Sequence, residues 1–300
     1  MSTDVIRTTG LSKRYGTADA LSDLDLAVPA GTVFGYLGPN GAGKSTTIRL
    51  LMGLIRPTGG SATILGHDIV RERDAIHRVV GYLPGDFTGY RDLTAGAYLR
   101  FLSDLRGGVD ESQLERLVAR FGLALDRRLG TMSHGNQQKV GIIQACMHQP
   151  QVLILDEPTS GLDPLMQREF LELIRECRAD GRTVFLSSHV LSEVEAVADV
   201  VGIIRKGRLV KTSDIADLKR RTRRRVALRF SDGTTAPATA LRSVPGVRDL
   251  EVVEGDIELV VEGSMAELLR VAAPFGIDRI VSNDVDLEDL FLQYYEGEGQ

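Results

Sequence analysis

The sequence predicts an α/β protein built on a parallel β-sheet, with a small α+β domain after it. Three observations lead there. A strand pattern at 33–37 runs into Gly38-Pro39-Asn40-Gly41-Ala42-Gly43-Lys44-Ser45 and then into a helical pattern over 44–55. An apolar run at 152–155 closes on Asp156-Glu157, and a helical stretch at 164–178 separates it from a second apolar run at 183–186, which is the β-α-β order of a parallel sheet. After Asp214 the character changes, and 226–295 reads as strand, helix, strand, strand, helix, strand.

Taken in order, 21–28 and 31–37 are short β-rich runs, and 61–65 is a third after the turn Pro57-Thr58-Gly59-Gly60. From 91 to 147 the apolar spacing turns helical, first Leu99, Leu102 and Leu105, then Leu114, Leu117, Val118 and Phe121, so a helical insertion is expected there. The basic run Lys219-Arg220-Arg221-Thr222-Arg223-Arg224-Arg225 reads as a solvated linker rather than a patch for anionic headgroups. The terminal Leu287, Leu290, Phe291 and Tyr294 read as a helix face packed on the small domain. There is no internal repeat or low-complexity tract.

Composition narrows the function classes. The 300 residues are 43% hydrophobic, enough for well-packed cores, and the net charge of −5 argues against a nucleic-acid binder held by a basic surface. Cys146 and Cys177 are the only cysteines, in no metal-ligand or redox spacing, so both read as buried apolar residues of a protein in a reducing compartment. No run approaches the roughly 18 apolar residues of a membrane span, and the N-terminus lacks a signal-peptide pattern. His67, His77 and His148 have no ligand spacing.

The chemistry-bearing residues sit at strand ends. Gly38 to Ser45 fit G-x-x-x-x-G-K-[ST], whose glycines let backbone N–H groups wrap phosphates while the helix N-terminus faces them with its positive end. Lys44 would reach the β- and γ-phosphates and Ser45 would coordinate Mg²⁺. Asp156 and Glu157 end a buried strand, an expensive place for charge without a task. Asp156 is expected to hold Mg²⁺, and Glu157 to activate the attacking water as general base.

Beyond these, Ser133-His134-Gly135-Asn136-Gln137-Gln138 opens a helix upstream of the Asp-Glu strand, Ser160-Gly161-Leu162-Asp163 follows it, and His189 ends the next strand. With the phosphate loop, the order and spacing over about 5–215 resemble the nucleotide-binding subunit of ATP-binding cassette (ABC) transporters. The resemblance implies a P-loop NTPase cassette at 1–215, with a RecA-like parallel core, an antiparallel β subdomain and a helical subdomain at about 87–148. Residues 216–300 would form the accessory domain.

It also implies ATP and Mg²⁺ as cofactors, with Gly38, Pro39, Asn40, Gly41, Ala42, Gly43, Lys44, Ser45 and Thr46 around the phosphates. Tyr15, in Lys13-Arg14-Tyr15-Gly16, resembles the adenine-stacking aromatic, and His189 the γ-phosphate switch. Ser133, Gly135 and Asp163 would meet the ATP of a second subunit, making a homodimer. A separate transmembrane permease is the expected partner, at the cytoplasmic face of the membrane, with no nucleic acid. The pattern GYLPG at 81–85, the SHGN signature and the C-terminal extension look like export-type (ABC-2-type) systems for drugs, antibiotics or glycans. The competing expectation is a soluble ABC ATPase doing mechanical work on a ribosome, DNA or a scaffold. Against the commonest family pattern, Gly85 stands where a glutamine is usual, His134 and Asn136 replace glycine and glutamine, and Met132 replaces leucine.

Overall fold

The computed structural model describes residues 4–221, 223–230, 237–253, 256–262 and 265–284. The chain divides into two compact units, Met1–Ser213 and Asp214–Gln300. The first opens with an antiparallel hairpin, β1 (Asp4–Tyr15) and β2 (Ala18–Pro29). β3 (Val33–Leu37), buried at every position, leads through the glycine-rich loop to α1 (Lys44–Leu51). β4 (Gly59–Ile64) and β5 (His67–Asp68) join the hairpin in a sheet of order β2-β1-β4-β5.

α2 (Arg73–Val79) and β6 (Val80–Leu83) precede a helical section of α3 (Ala95–Leu105), α4 (Glu111–Arg120) and α5 (His134–Cys146). Each of these three helices starts on a side chain that caps a free N–H, Thr94, Asp110 and Ser133 respectively. β7 (Val152–Asp156), α6 (Pro164–Ala179), β8 (Thr183–Ser188), α7 (Leu191–Val197), β9 (Val200–Arg205) and β10 (Arg208–Asp214) follow. The second sheet runs β10-β9-β3-β8-β7-β6, and β9, β3, β8, β7 and β6 are parallel neighbours. Its central strands are continuous apolar runs because helices cover both faces. A parallel core, an antiparallel sheet and a helical section are therefore all present.

Several elements depart from the sequence expectation. α1 stops at Leu51 rather than near 55 because Gly53 takes φ 63, the left-handed turn that ends helices. β1 was hidden by register shifts that break its alternation, and α2 by a polar run in which only Ile76 is buried. Leu105 does not join the buried stripe of α3 and is 68% exposed.

In the second unit, α8 (Ile215–Arg221) precedes β11 (Arg223–Phe230), α9 (Ala238–Arg242), β12 (Val247–Val253), β13 (Asp256–Glu262), α10 (Met265–Ala272) and β14 (Ile277–Asp284). The basic run is thus no linker: its backbone ends one helix and begins a strand. The sheet order β12-β13-β11-β14, with antiparallel pairing throughout, is the split β-α-β arrangement. Val226, Leu228, Leu241, Ile257, Leu259 and Leu268 form its core. The terminal run Leu287 to Tyr294 lies outside the described residues.

Candidate nucleotide site

Parallel strands put their C-terminal ends on one sheet edge, and β3, β8 and β7 are adjacent there. Register pairs Leu37 with Ser188 and Asp156 with Ser187, so the glycine-rich loop after β3, His189 after β8 and Asp156-Glu157 at the end of β7 converge. Residues as far apart in sequence as Gly38 and His189 thereby share one edge.

A hollow of about 210 Å³ is lined by Ala20, Pro39, Asn40, Gly41, Ala42, Gly43, Lys44, Ser45, Thr46 and Glu157. Its floor needs glycine at two places. Gly43, at φ 111, is the cap residue of α1, and a Cβ there would stand 2.8 Å from the Ala20 carbonyl. At Gly38 it would stand 2.5 Å from the Ile204 carbonyl. Lys44, almost fully buried, donates to the Gly38 carbonyl at 2.5 Å and the Pro39 carbonyl at 3.3 Å. Its Nζ is also 3.1 Å from Glu157 Oε1, an ion pair by distance that is not aligned as a hydrogen bond.

Glu157 is the hub. Its Oε2 lies 2.8 Å from His189 Nδ1, so one carboxylate bridges the loop lysine and the strand-end histidine. Its backbone is left-handed, φ 48, a conformation that costs a non-glycine residue of the order of 1–3 kcal/mol and persists only where surroundings fix it. Ser187 supplies part of that: the Glu157 N–H donates to Ser187 O (3.2 Å) and Ser187 Oγ (3.1 Å), while Ser187 Oγ donates to Asp156 Oδ1 at 2.6 Å. A second network runs from Thr159 Oγ1 to Glu193 Oε2 (2.7 Å), which also accepts from Ser188 Oγ (3.0 Å), tying the loop after β7 to the loop carrying His189.

Asp156 and Ser45 are the pair suited to a hard cation. Asp156 is 3% exposed, its Oδ2 facing Gly85, and Ser45 lines the phosphate hollow. One carboxylate and one hydroxyl beside a phosphate site fit Mg²⁺, which takes one or two protein ligands plus phosphate oxygens and water. Gly85 abuts Asp156, since a Cβ at Gly85 would stand 3.2 Å from Oδ2, and the next residue, Asp86, is exposed.

The remaining expected residues do not line the hollow. Tyr15 ends β1, 48% exposed, with Lys13 Nζ 4.9 Å above its ring, in the hairpin that supplies Ala20. Ser133 caps the exposed start of α5, accepting from the Asn136 N–H at 3.4 Å, and Gly135 follows in the first turn. Asp163 caps α6, accepting from the Leu165 and Met166 N–H groups at 3.0 Å each. Sequence reasoning missed Ser187, Ser188, Glu193 and Gln138. The two serines adjoin His189 in sequence and could have been noticed, and Gln138 closes the motif that opens α5, although nothing local shows its bonds to the 157–158 carbonyls; Glu193 carries no signal of its own.

A glycine-rich phosphate loop before a helix, an acidic pair at the end of a strand one place removed in the sheet and a parallel sheet joining them define a phosphate-loop ATPase. Residues 21–160 match the family model described as ABC transporter. The chain is 36% identical over 301 residues to the bacitracin transport ATP-binding protein BcrA of Enterococcus faecalis, spanning 98% of this chain and 97% of that protein. It is 35% identical to a fluoroquinolones export ATP-binding protein of Mycobacterium tuberculosis, over 98% and 94% of the two chains. A solved ATP-binding subunit of an ABC transporter superposes with TM-score 0.67 at 32% identity, over 72% of this chain and 92% of that one. The chain belongs to the ABC transporter family as an ATP-binding subunit, and its reaction is ATP hydrolysis.

Proposed function

We propose that this ATPase powers outward transport of drug-like, antibiotic or glycan molecules by a separate membrane permease. It would work as a homodimer, held at the cytoplasmic face by that partner. Among the described residues no helix is long and apolar enough to cross a membrane, so in this reading the spans belong to the permease. The observation that carries the proposal is likeness along almost the whole chain, including the unit after residue 213, to transport ATP-binding proteins for bacitracin and fluoroquinolones. Full-length likeness to transport subunits also counts against a ribosome- or DNA-directed ATPase.

In the proposed site Lys44 and the N–H groups of 38–46 bind the phosphates, Tyr15 stacks on the adenine, and Ser45 and Asp156 hold Mg²⁺. Mg²⁺, when bound, offsets phosphate charge. Glu157 takes the proton of the attacking water, a role contributing on the order of 10²–10⁴-fold, and His189 orients the γ-phosphate. Ser133, Gly135 and Asp163, away from their own subunit's hollow, complete the site of the second subunit: the α5 N-terminus offers N–H groups and a positive dipole end to the γ-phosphate.

A tagged Glu157→Gln chain, recovered from detergent-solubilised membranes with ATP and Mg²⁺, tests this by mass spectrometry. A multi-span protein in stoichiometric amount is expected. Recovery from the cytosol alone, with ribosomal or DNA-associated proteins, would overturn the transport reading.

A further inference from the structure

Gln138 lies in the second turn of α5, 1% exposed. Its Nε2 donates to the Glu157 carbonyl at 3.2 Å and to the Pro158 carbonyl at 2.9 Å. Its Oε1 is buried and has no hydrogen-bond partner among the described residues. The side chain therefore carries an orphaned acceptor, a cost, while its amide N–H groups hold the carbonyl of Glu157, the proposed general base, and that of Pro158 beside it. Glu157 is the left-handed residue, φ 48, whose N–H is fixed by Ser187. Gln138 fixes its carbonyl side.

Two further ties join the same segments. His134 Nε2 is 3.3 Å from Ser160 Oγ, and its ring lies where a Cβ on Gly161 would meet Cδ2 at 2.3 Å. A Cβ on Gly135 would meet the Gly161 carbonyl at 2.3 Å. The start of α5 and the segment 157–161 are thus packed closer than any side chain would permit.

We propose that Gln138 is a positioning residue for Glu157, and that through it the helix carrying Ser133 sets the base of its own subunit. Any shift of α5, such as engagement of Ser133 with a phosphate, then moves the Glu157 carbonyl and with it the carboxylate that faces Lys44 and His189. The inference rests on reading Glu157 as the base.

The test is Gln138→Met in the full chain, which keeps the length, removes both donors and removes the orphaned oxygen. Misplacing a catalytic group by about an ångström costs on the order of 10²-fold, so turnover should fall by about that factor. KM and fluorescent-ATP binding should stay within about twofold, and the pH profile of turnover should shift. Because the effect passes through Glu157, the same change in a Glu157→Gln background should leave single-turnover hydrolysis no slower. Turnover within about twofold of the parent, or an equal loss in the Glu157→Gln background, would overturn the inference. If the Met variant does not fold, Gln138→Asn, which withdraws the amide by one methylene, gives the same comparison. Full turnover by Glu157→Gln alone would instead remove the base assignment.

Discussion

His148 shows how one residue couples packing to pH. Burial, then the nearby Arg106 cation, holds its imidazole down at about 4, against an ordinary value of 6.5. No well-aligned hydrogen bond reaches its ring nitrogens among the described residues, and burial and Arg106 outweigh the Val80 backbone, which favours the charged form. Between 6.5 and about 4 the unfolded chain binds a proton that the folded one does not, so this residue's contribution to stability is complete above 6.5 and is lost as pH falls toward 4. Thermal unfolding followed over that range should show a falling melting temperature, and His148→Gln should flatten the fall. Equal slopes in both proteins would assign the loss to other groups. At the nucleotide end, Tyr15→Ala removes an exposed ring at the end of β1, and in the proposed role should weaken ATP binding measured by fluorescent-nucleotide titration. Unchanged affinity would leave the ring as a surface residue.

At the scale of elements, the phosphate loop owes its shape to two turns distant in sequence. The β1–β2 hairpin presses the Ala20 carbonyl against Gly43, and the turn between β9 and β10 brings Gly207, whose N–H donates to the Ala42 carbonyl at 2.8 Å. Gly207 sits at φ 74, and a Cβ there would stand 2.9 Å from the Ala20 carbonyl. Gly207→Ala should therefore both strain its turn, by about 1–3 kcal/mol, and displace the loop. The expected readings are a lower denaturant midpoint and weaker ATP binding, although the residue lies outside the phosphate motif. A variant of wild-type affinity would show that the loop holds its shape without this buttress.

For the whole molecule, the second unit has its own sheet and its own buried core of Val226, Leu228, Ile257, Leu259 and Leu268. A core of this kind is what an independently folding domain needs. Residues 214–300 expressed alone should give cooperative unfolding and a dispersed NMR amide spectrum. A collapsed spectrum would mean that the first unit is required for it to fold. Deleting the same residues asks whether this unit regulates turnover, supports the dimer or selects the partner: unchanged ATPase activity, dimerisation and partner binding would reject all three.

The sequence alone determined the chemistry and its order along the chain. Gly38 to Ser45 before a helix, Asp156-Glu157 after an apolar strand and His189 after another are legible because each rests on local grammar: turn residues, helix starts and unbroken apolar runs. The β-α-β-β-α-β order of the second unit was legible for the same reason. The tertiary structure decided what depends on contacts between distant segments. Gly85 stands beside Asp156; Ser187 and Gln138 hold the backbone on either side of Glu157; and Ala20 and Gly207 shape the phosphate loop. No periodicity records these, because a hydrogen bond across 19 or 30 residues leaves each partner's local pattern unchanged.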